Sequence, residues 1–143
     1  MNGILVICEG NICRSPMGEA LLAQALPGVQ VRSAGLGAMV GWPADETAVR
    51  LMAERGLDLG PHRAQQINQA LCLAADLVLV MDSEQRQRVE ALYPQVRGRV
   101  FRLAEHQKQD IPDPYRQGEP AFREALALIE AGSAEWLRLI KKL

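Results

Sequence analysis

The chain has 143 residues, of which 48% are hydrophobic and 23% are charged, and its formal net charge is −1. A chain of this size and composition can bury one hydrophobic core, so we expect residues 1–143 to form a single soluble domain. The near balance of charge excludes a global field for nucleic acid or an anionic membrane surface, and no signal peptide or transmembrane segment is recognisable, so we expect a cytoplasmic protein without membrane insertion.

Apolar runs predict four β-strands. They cover Ile4–Ile7, Val29–Val31, Leu77–Val80 and Val100–Leu103. In the first and third runs the apolar residues are continuous, which is typical of strands covered on both faces in a parallel sheet.

Helical patterns lie between these runs. We expect Ser15 to cap the first helix, with Pro16 at its first position, and the helix to end before Pro27. Further helices are predicted over Asp45 to Arg55, Ala64 to Leu71, and Asp82 to Leu92. Asp82 and Gln85 resemble a capping box at the start of the last of these.

The final helix has the clearest period. Its apolar face is predicted from Phe122, Leu126, Ile129, Ser133, Trp136 and Ile140, and Gly132 inside this pattern suggests a kink. Before this helix, residues 104–120 form a polar segment without periodicity, and loops of this length in compact domains are uncommon unless they carry function.

The alternation of strands and helices predicts an α/β fold with right-handed crossovers and a parallel sheet covered by helices on both faces. Ligands of such sheets bind beyond the carboxyl ends of the strands, at the topological switch point. Cys8 directly follows the first predicted strand, so we expect it at this edge.

The segment Cys8–Pro16 is the main chemical motif. A thiol at a helix N-terminus beside an arginine ionises more easily than a free thiol, so we expect Cys8 to be largely thiolate at neutral pH. The same backbone N–H groups suit phosphoryl oxygens, and Gly10 is expected to allow the sharp turn of the loop. Arg14 supplies a planar fork that binds two oxygens of a phosphoryl group.

A second motif, Asp113-Pro114-Tyr115, lies in the polar segment. A phosphate ester attacked by Cys8 needs an acid for its leaving oxygen, and the carboxyl of Asp113 could serve. The structural alternative is that Asp113 is simply the turn residue of an Asp-Pro pair.

Several motifs together resemble the low-molecular-weight protein tyrosine phosphatases. They are Cys8–Pro16, Ser33–Gly35, His62–Ala64, Met81-Asp82 and Asp113–Tyr115, and they span nearly the whole chain. The resemblance implies a three-layer α/β/α fold with a four-stranded parallel sheet, a phosphate-binding loop after the first strand, and hydrolysis of phosphotyrosine without a metal or other cofactor.

By this resemblance Cys8 is the nucleophile, Arg14 the phosphate clamp and Asp113 the acid. The substrate would be held by Glu9, Gly10, Asn11, Ile12, Cys13 and Ser15, with Trp42 and Tyr115 flanking its ring. Ser15 would also bind the sulfur, while Ser33 and His62, with Asn11, would support the loop. Cys13 matches a cysteine that in the family pairs reversibly with the nucleophile.

Two positions depart from the family pattern. Glu9 stands where other members often have an apolar residue, and Arg116 follows Tyr115 where the eukaryotic branch often has a second aromatic residue. The latter resembles the bacterial branch, which serves tyrosine autokinases linked to exopolysaccharide export. We therefore expect a phosphotyrosine protein as partner, with the chain itself a monomer or weak dimer.

Other interpretations of the cysteines are weaker. Cys72 lies in an apolar run and is expected in the core, while Cys13 could be either a redox partner or a packed thiol. A zinc site on Cys8 and Cys13 lacks a second ligand pair of suitable spacing.

Three rival functions remain open. An arsenate reductase of the same fold would need further relay cysteines, and only Cys72 lies outside the loop. Protein-arginine phosphatases resemble this chain but carry threonine at the position of Ile12, whose bulk should favour a flat tyrosyl ring. A phosphotyrosine-binding module would not need both Cys8 and Asp113. A nucleotide-binding P-loop is excluded because its Gly-Lys-Ser/Thr sequence is missing.

Overall fold

The sheet of the computed structural model, which describes residues 1–143, has four parallel strands in the order β2-β1-β3-β4. The strands are β1 (Gly3–Cys8), β2 (Gln30–Gly35), β3 (Leu77–Val80) and β4 (Val100–Arg102). The next strand in the chain, β2, lies on one side of β1, and β3 lies on the other side. The topological switch point is therefore at the carboxyl end of β1.

Five helices cover the two faces of the sheet. They are α1 (Arg14–Ala25), α2 (Glu46–Ala53), α3 (Gln69–Leu73), α4 (Ser83–Leu92) and α5 (Glu119–Ile140), and a 3₁₀ turn spans Pro94–Val96. Buried residues of α1, α2 and α5 belong to one core cluster and those of α3 and α4 to a second. The predicted three-layer α/β/α fold is therefore confirmed. No helix combines the length and the apolar character that crossing a membrane requires.

Alternation along β1 assigns its side chains to the two cores. Ile4, Val6 and Cys8 pack in the cluster beneath α1, α2 and α5, whereas Leu5 and Ile7 pack in the other. Successive side chains of a strand point to opposite faces. The sulfur-bearing residue thus ends the strand on the α1 side, the side on which the next helix begins.

The second strand is longer than predicted. Apolar residues indicated only Val29–Val31, but β2 pairs with β1 along its full length, from Gln30 opposite Gly3 to Gly35 opposite Cys8. The residues after Val31 are polar or small, so the sequence has no apolar pattern that would indicate a strand there. Their pairing brings Ser33 close to the first loop.

Two predicted helix starts were wrong. The first helix begins at Arg14 with Cys13 at the cap position, and no side chain caps it. Ser15 lies within the helix and is fully buried, and its hydroxyl contacts Cys8 instead of capping a backbone N–H. The short helix predicted from Ala64 begins only at Gln69, because the preceding residues extend beside β2, with a bridge between Gly35 and Gln66.

The Asp82 cap predicted for α4 is confirmed, but Gln85 bonds to the Met81 N–H and not to the Asp82 N–H of a capping box. The Asp82 carboxylate accepts a hydrogen bond of 2.8 Å from the Gln85 N–H, and the Gln85 side-chain oxygen accepts one of 2.9 Å from the Met81 N–H. Both bonds satisfy backbone donors at the point where β3 turns into α4.

The final helix is continuous through Gly132, so the suggested kink does not interrupt it. A Cβ at this position would lie 2.5 Å from the carbonyl oxygen of Leu103. Four residues further along, the Trp136 indole N–H donates to the same oxygen at 3.0 Å. Glycine is therefore present because α5 approaches the backbone after β4, and this approach anchors the start of the long loop that follows.

We expect Gly132→Ala to lower the free energy of unfolding by about 1–3 kcal/mol, because the added methyl overlaps a backbone oxygen that cannot easily move. Urea denaturation of the variant and the wild type measures the difference. Gly28→Ala is a matched control, since a Cβ there has no atom within 4 Å. Equal destabilisation by the two substitutions would show that the close approach at Gly132 is not the cause.

Candidate active site

The loop between β1 and α1 has its carbonyl oxygens bonded to neighbouring segments. The carbonyl oxygens of Cys8, Glu9, Gly10 and Ile12 accept from the N–H groups of Leu36, Gly37, Met39 and Asp45, at 3.0, 2.9, 3.0 and 2.8 Å. The Asn11 carbonyl lies 2.7 Å from Nε2 of His62. A carbonyl only accepts, so this ring nitrogen carries the hydrogen and donates it. His62, which was predicted to support the loop, thus binds its backbone at Asn11.

The opposite side of the same loop consists of donors. None of the backbone N–H groups from Glu9 to Arg14 donates a hydrogen bond to another group of the protein. Buried backbone donors are almost always paired, so a run of unpaired donors around one turn is unusual. Such a concave set of N–H groups at a helix N-terminus is suited to a bound anion.

Cys8 lies at the base of this loop and is only 2% exposed. Its Sγ is 2.9 Å from the Ser15 hydroxyl oxygen, which accepts a hydrogen bond of 2.7 Å from the Asn11 side-chain amide. Because the amide can only donate here, the hydroxyl hydrogen of Ser15 remains available for the sulfur. The pair Asn11 and Ser15 thus directs a donor at Cys8.

Asn11, and not Gly10, has the left-handed backbone of the loop, with φ of 59°. The expectation that Gly10 provides the special conformation was wrong. A Cβ at Gly10 would meet only ordinary contacts, the nearest at 3.6 Å from Met39. Asparagine tolerates left-handed φ better than most residues, which explains its presence here.

Hydrogen bonds surround the Asn11 side chain. Its amide also donates to Ser33 Oγ at 2.9 Å, and its Oδ1 accepts from the Gln65 N–H at 2.9 Å. The Ser33 hydroxyl in turn donates to the Glu19 carboxylate. The strained residue is therefore held from β2, from α1 and from the segment before α3.

Arg14 is buried and its guanidinium is oriented by three groups. Nη1 donates to the Ile111 carbonyl at 2.7 Å and lies 3.8 Å from Asp82, while Nη2 lies 3.7 Å from Asp113. Its Nε is buried without a hydrogen-bond partner in the protein. Asp82 is thus both the cap of α4 and a partner of Arg14.

The three cysteines are free and buried, but their surroundings differ. Burial raises the pKa of the Cys13 thiol far above its usual value, and the nearby Asp45, Cys8 and Asp113 raise it further. Burial also raises the pKa of Cys72 to about 11. Cys13 and Cys72 are therefore neutral thiols at neutral pH, and only Cys8 lies beside both Ser15 and the loop donors.

A cavity of about 160 Å³ opens above Cys8. It is lined by Cys8, Glu9, Gly10, Ile12, Cys13, Arg14, Gly37, Met39, Asp113 and Tyr115. Most of the predicted substrate-binding residues thus line one cavity. Four predicted residues do not line it and are joined to the loop by hydrogen bonds through Asn11; they are Asn11, Ser15, Ser33 and His62. Trp42 does not line the cavity and is 52% exposed, so the structure does not support its prediction as a wall. Met39 and Gly37 lie there instead.

Asp113 and Tyr115 approach the cavity from the long loop between β4 and α5. The Tyr115 N–H donates to Oδ1 of Asp113 at 3.1 Å, which leaves Oδ2 on the side of Arg14. The guanidinium of Arg116 lies 5.1 Å from the centre of the Tyr115 ring. The Asp-Pro turn is thus real, and it also aims the carboxyl at the cavity.

Four groups of the site have no signal in the sequence: Met39, Glu19, Gln65 and the Ile111 carbonyl. None of them lies in a recognisable motif, and their positions depend on how separate loops pack. Only Asp82 carried a signal, since it follows the third strand at the edge of the sheet where Cys8 lies.

Comparison with known proteins agrees with this geometry. Residues 3–143 match the family model described as low molecular weight phosphotyrosine protein phosphatase. The chain is 53% identical over 140 residues to the probable low molecular weight protein-tyrosine-phosphatase EpsP of Ralstonia nicotianae, covering 98% of this chain and 97% of the relative. This chain belongs to the low-molecular-weight protein tyrosine phosphatase family and is a hydrolase.

Solved structures match over nearly the full length. The tyrosine phosphatase Wzb of Escherichia coli K30 in complex with sulphate has a TM-score of 0.93 and 40% identity, covering 97% of this chain and 98% of that chain. The YwlE arginine phosphatase of Geobacillus stearothermophilus has a TM-score of 0.92 and 31% identity, covering 99% and 94%. The fold is thus common to phosphatases named for two different phosphorylated residues.

The bonds around Asn11 predict different effects for two substitutions. Asn11→Gly removes the side-chain bonds but permits the left-handed backbone, whereas Asn11→Ala also disfavours it. We expect the free energy of unfolding of the alanine variant to be about 1 kcal/mol lower than that of the glycine variant. Both should lose activity about tenfold or more, because the Ser15 hydroxyl is no longer oriented.

Chemical denaturation and steady-state kinetics of both variants test this. Lys108 provides the control, because it is exposed and has φ of 55° outside the site. The pair Lys108→Ala and Lys108→Gly reports the backbone cost alone. A fully active Asn11→Gly variant would contradict the proposed orientation of Ser15 by Asn11.

Proposed function

We propose that this chain hydrolyses phosphotyrosine in proteins through a phosphocysteine intermediate on Cys8. The observation that carries the proposal is the run of unpaired N–H groups from Glu9 to Arg14 around a buried sulfur. The donors match the oxygens of a phosphoryl group, and the sulfur lies where a bound phosphorus would be attacked. The membership of the family supports the same chemistry.

In the first step the Cys8 sulfur, as thiolate, attacks phosphorus. A sulfur–phosphorus bond forms while the bond between phosphorus and the tyrosyl oxygen breaks, and the Asp113 carboxyl gives its proton to the departing oxygen. The loop N–H groups and Arg14 bind the oxygens of the transferring phosphoryl group. Ser15 donates to the sulfur, which stabilises its negative charge.

In the second step water attacks phosphorus. The Asp113 carboxylate accepts a proton from this water, the sulfur–phosphorus bond breaks, and inorganic phosphate and the Cys8 thiolate are formed. Every bonding change uses side chains of this chain and water, and the proposed chemistry needs no metal. The Ser15 hydroxyl makes the sulfur a better leaving group in this step.

Two apolar surfaces favour a tyrosyl ring as the leaving group. Ile12 is buried but lines the cavity, and the half-buried Tyr115 lies beside Asp113. A flat aromatic ring packs well against such surfaces, whereas the Ile12 side chain offers a guanidinium no hydrogen-bond acceptor. These contacts favour phosphotyrosine over phosphoarginine.

The biological setting follows from the relatives and is part of the proposal. EpsP and Wzb are named as tyrosine phosphatases of bacteria. We propose that the partner of this chain is a phosphotyrosine protein, a tyrosine autokinase linked to exopolysaccharide export, and that residues 1–143 act as one catalytic domain in the cytoplasm. Three thiols without a disulfide framework fit a reducing compartment.

We expect Cys8→Ser to lower turnover of phosphotyrosine at least about 10³-fold, because the variant lacks the sulfur nucleophile. Binding of inorganic phosphate, measured by calorimetry, should persist because the loop N–H groups and Arg14 remain. Cys72→Ala is the control and should stay active. Retained turnover in Cys8→Ser would contradict the mechanism.

The same assay distinguishes the rival functions. Wild-type protein with a chelator is given phosphotyrosine, phosphoarginine and, with a thiol reductant, arsenate in separate reactions. Hydrolysis of phosphotyrosine alone is expected. Preferred hydrolysis of phosphoarginine or reduction of arsenate would assign the chain to another activity of the same fold.

We expect Asp113→Ala to slow formation of the phosphoenzyme by about 10²–10⁴-fold for phenols of high pKa, because their oxygen departs poorly without a proton. For phenols of low pKa the loss should be much smaller. The dependence of kcat/KM on leaving group across a series of aryl phosphates measures the difference. Asp110→Ala, in the same loop but outside the cavity lining, should show no such dependence.

A further inference from the structure

The Glu9 carboxylate lies beside the site that would bind a phosphate dianion. Glu9 directly follows Cys8 and lines the cavity together with Gly37. A Cβ at Gly37 would lie 2.8 Å from Oε2 of Glu9, so the side chain passes closely over this glycine. The side chain is 43% exposed, and its carboxylate lies at the cavity wall.

An unpaired carboxylate at this wall would oppose the binding of a second anion. Like charges repel, and the repulsion is stronger at a partly buried site than in bulk water. The acidic groups Asp82 and Asp113 lie 3.8 and 3.7 Å from Arg14. Glu9 is thus an additional acid that Arg14, already shared between two carboxylates, does not contact.

Arg88 on α4 pairs with this carboxylate. Its Nη1 donates to Oε1 of Glu9 at 2.5 Å and its Nη2 to Oε2 at 3.4 Å. The pKa of Arg88 is raised, first by the hydrogen bond to Glu9 and further by the charges of Glu84 and Asp82. Glu84 lies 3.7 Å from Nη1, so Arg88 forms ion pairs with two acids of this region.

The position of Arg88 is fixed by the same helix that helps to orient Arg14. Asp82 caps α4 and lies 3.8 Å from Arg14, and Arg88 lies in the middle of α4. The start of α4 therefore places Asp82 beside Arg14, and the middle of α4 places Arg88 beside Glu9. This arrangement distinguishes the pair from an ion pair on an unrelated surface.

We propose that Arg88 is a positioning and specificity-determining residue, which neutralises the Glu9 carboxylate and so permits a doubly charged phosphate ester to bind beside it. The inference rests on the proposed phosphatase function. Arg88 acts through Glu9 and need not touch the substrate. The pair of Arg88 and Glu9 thus affects binding of the phosphate charge, whereas Ile12 and Tyr115 affect binding of the tyrosyl ring.

The test uses Arg88→Met, which keeps much of the apolar stem and removes the charge. We expect the dissociation constant of inorganic phosphate and the KM of a phosphotyrosine peptide to rise by about three- to tenfold, with kcat changed less than about twofold, because the repulsion acts equally on substrate and transition state. In the Glu9→Gln background the same substitution should have no effect. Arg88→Lys should restore most of the binding.

Arg138→Met is the matched control, because Arg138 pairs with Glu135 at the far end of α5. It should leave phosphate binding unchanged. Thermal unfolding of each variant verifies that Arg88→Met is folded at the assay temperature.

Two results would overturn the inference. Unchanged phosphate binding in Arg88→Met would show that the Glu9 charge does not matter, and an equal loss in the presence and absence of the Glu9 carboxylate would show that Arg88 does not act through it. In both cases the wild type still binds phosphate and hydrolyses the peptide. Failure of the wild type to do so would instead reject the proposed function.

Discussion

The site depends on one constraint, the one-sided hydrogen bonding of the loop between Cys8 and Arg14. Five successive carbonyl oxygens, from Cys8 to Ile12, are bonded to neighbouring segments, while the N–H groups from Glu9 to Arg14 are bonded to none. A peptide group has its N–H and its C=O on opposite sides, so holding the oxygens outward orients the donors inward. The inward orientation of these donors is a consequence of how the surrounding loops pack, and not of the loop sequence alone.

The backbone of Asn11 is the costly point in this arrangement. A left-handed conformation at a residue other than glycine persists only when surrounding contacts impose it. Here one amide side chain meets Ser15, Ser33 and the Gln65 N–H at once. Glycine would accept the backbone angle more easily, but it could not orient the hydroxyl that donates to the sulfur. Asparagine thus combines conformational tolerance with hydrogen bonding, and neither property alone is sufficient.

The parts of this structure that could be predicted from sequence are those with local signals. The continuous apolar runs at Ile4 and Leu77 indicated buried parallel strands, and the order of strands and helices then placed Cys8 at the switch point. The end of β2 could not be recognised, because Ser33 and Gly35 have neither alternation nor β-propensity. Their strand conformation results from pairing with β1.

The errors in the candidate site have a related origin. Ser15 has the side chain of a helix cap, but the nearby sulfur and the Asn11 amide compete for its hydroxyl and place it inside the helix. The role of Trp42 stays a prediction from resemblance, whereas Met39, whose N–H donates to the Gly10 carbonyl, lines the cavity without a signal in the sequence. Long-range backbone bonds of this kind leave no pattern in a single sequence.

The two ends of the cavity differ in exposure in a way that suits the proposed chemistry. At the phosphate end Cys8 and Arg14 are buried and lie at the end of a central strand and the start of a helix. At the leaving-group end Asp113 is 47% exposed and lies on a loop, held by the buried Pro114 and by its own bond to the Tyr115 N–H. The phosphoryl group is the same in every substrate, so a rigid cradle has no disadvantage there. The tyrosyl oxygen is bonded to phosphorus, so the same attack geometry fixes its position, and the bonds that hold Asp113 keep the carboxyl in one place. The peptide around the tyrosine varies instead, and it would meet the exposed residues outside the cavity.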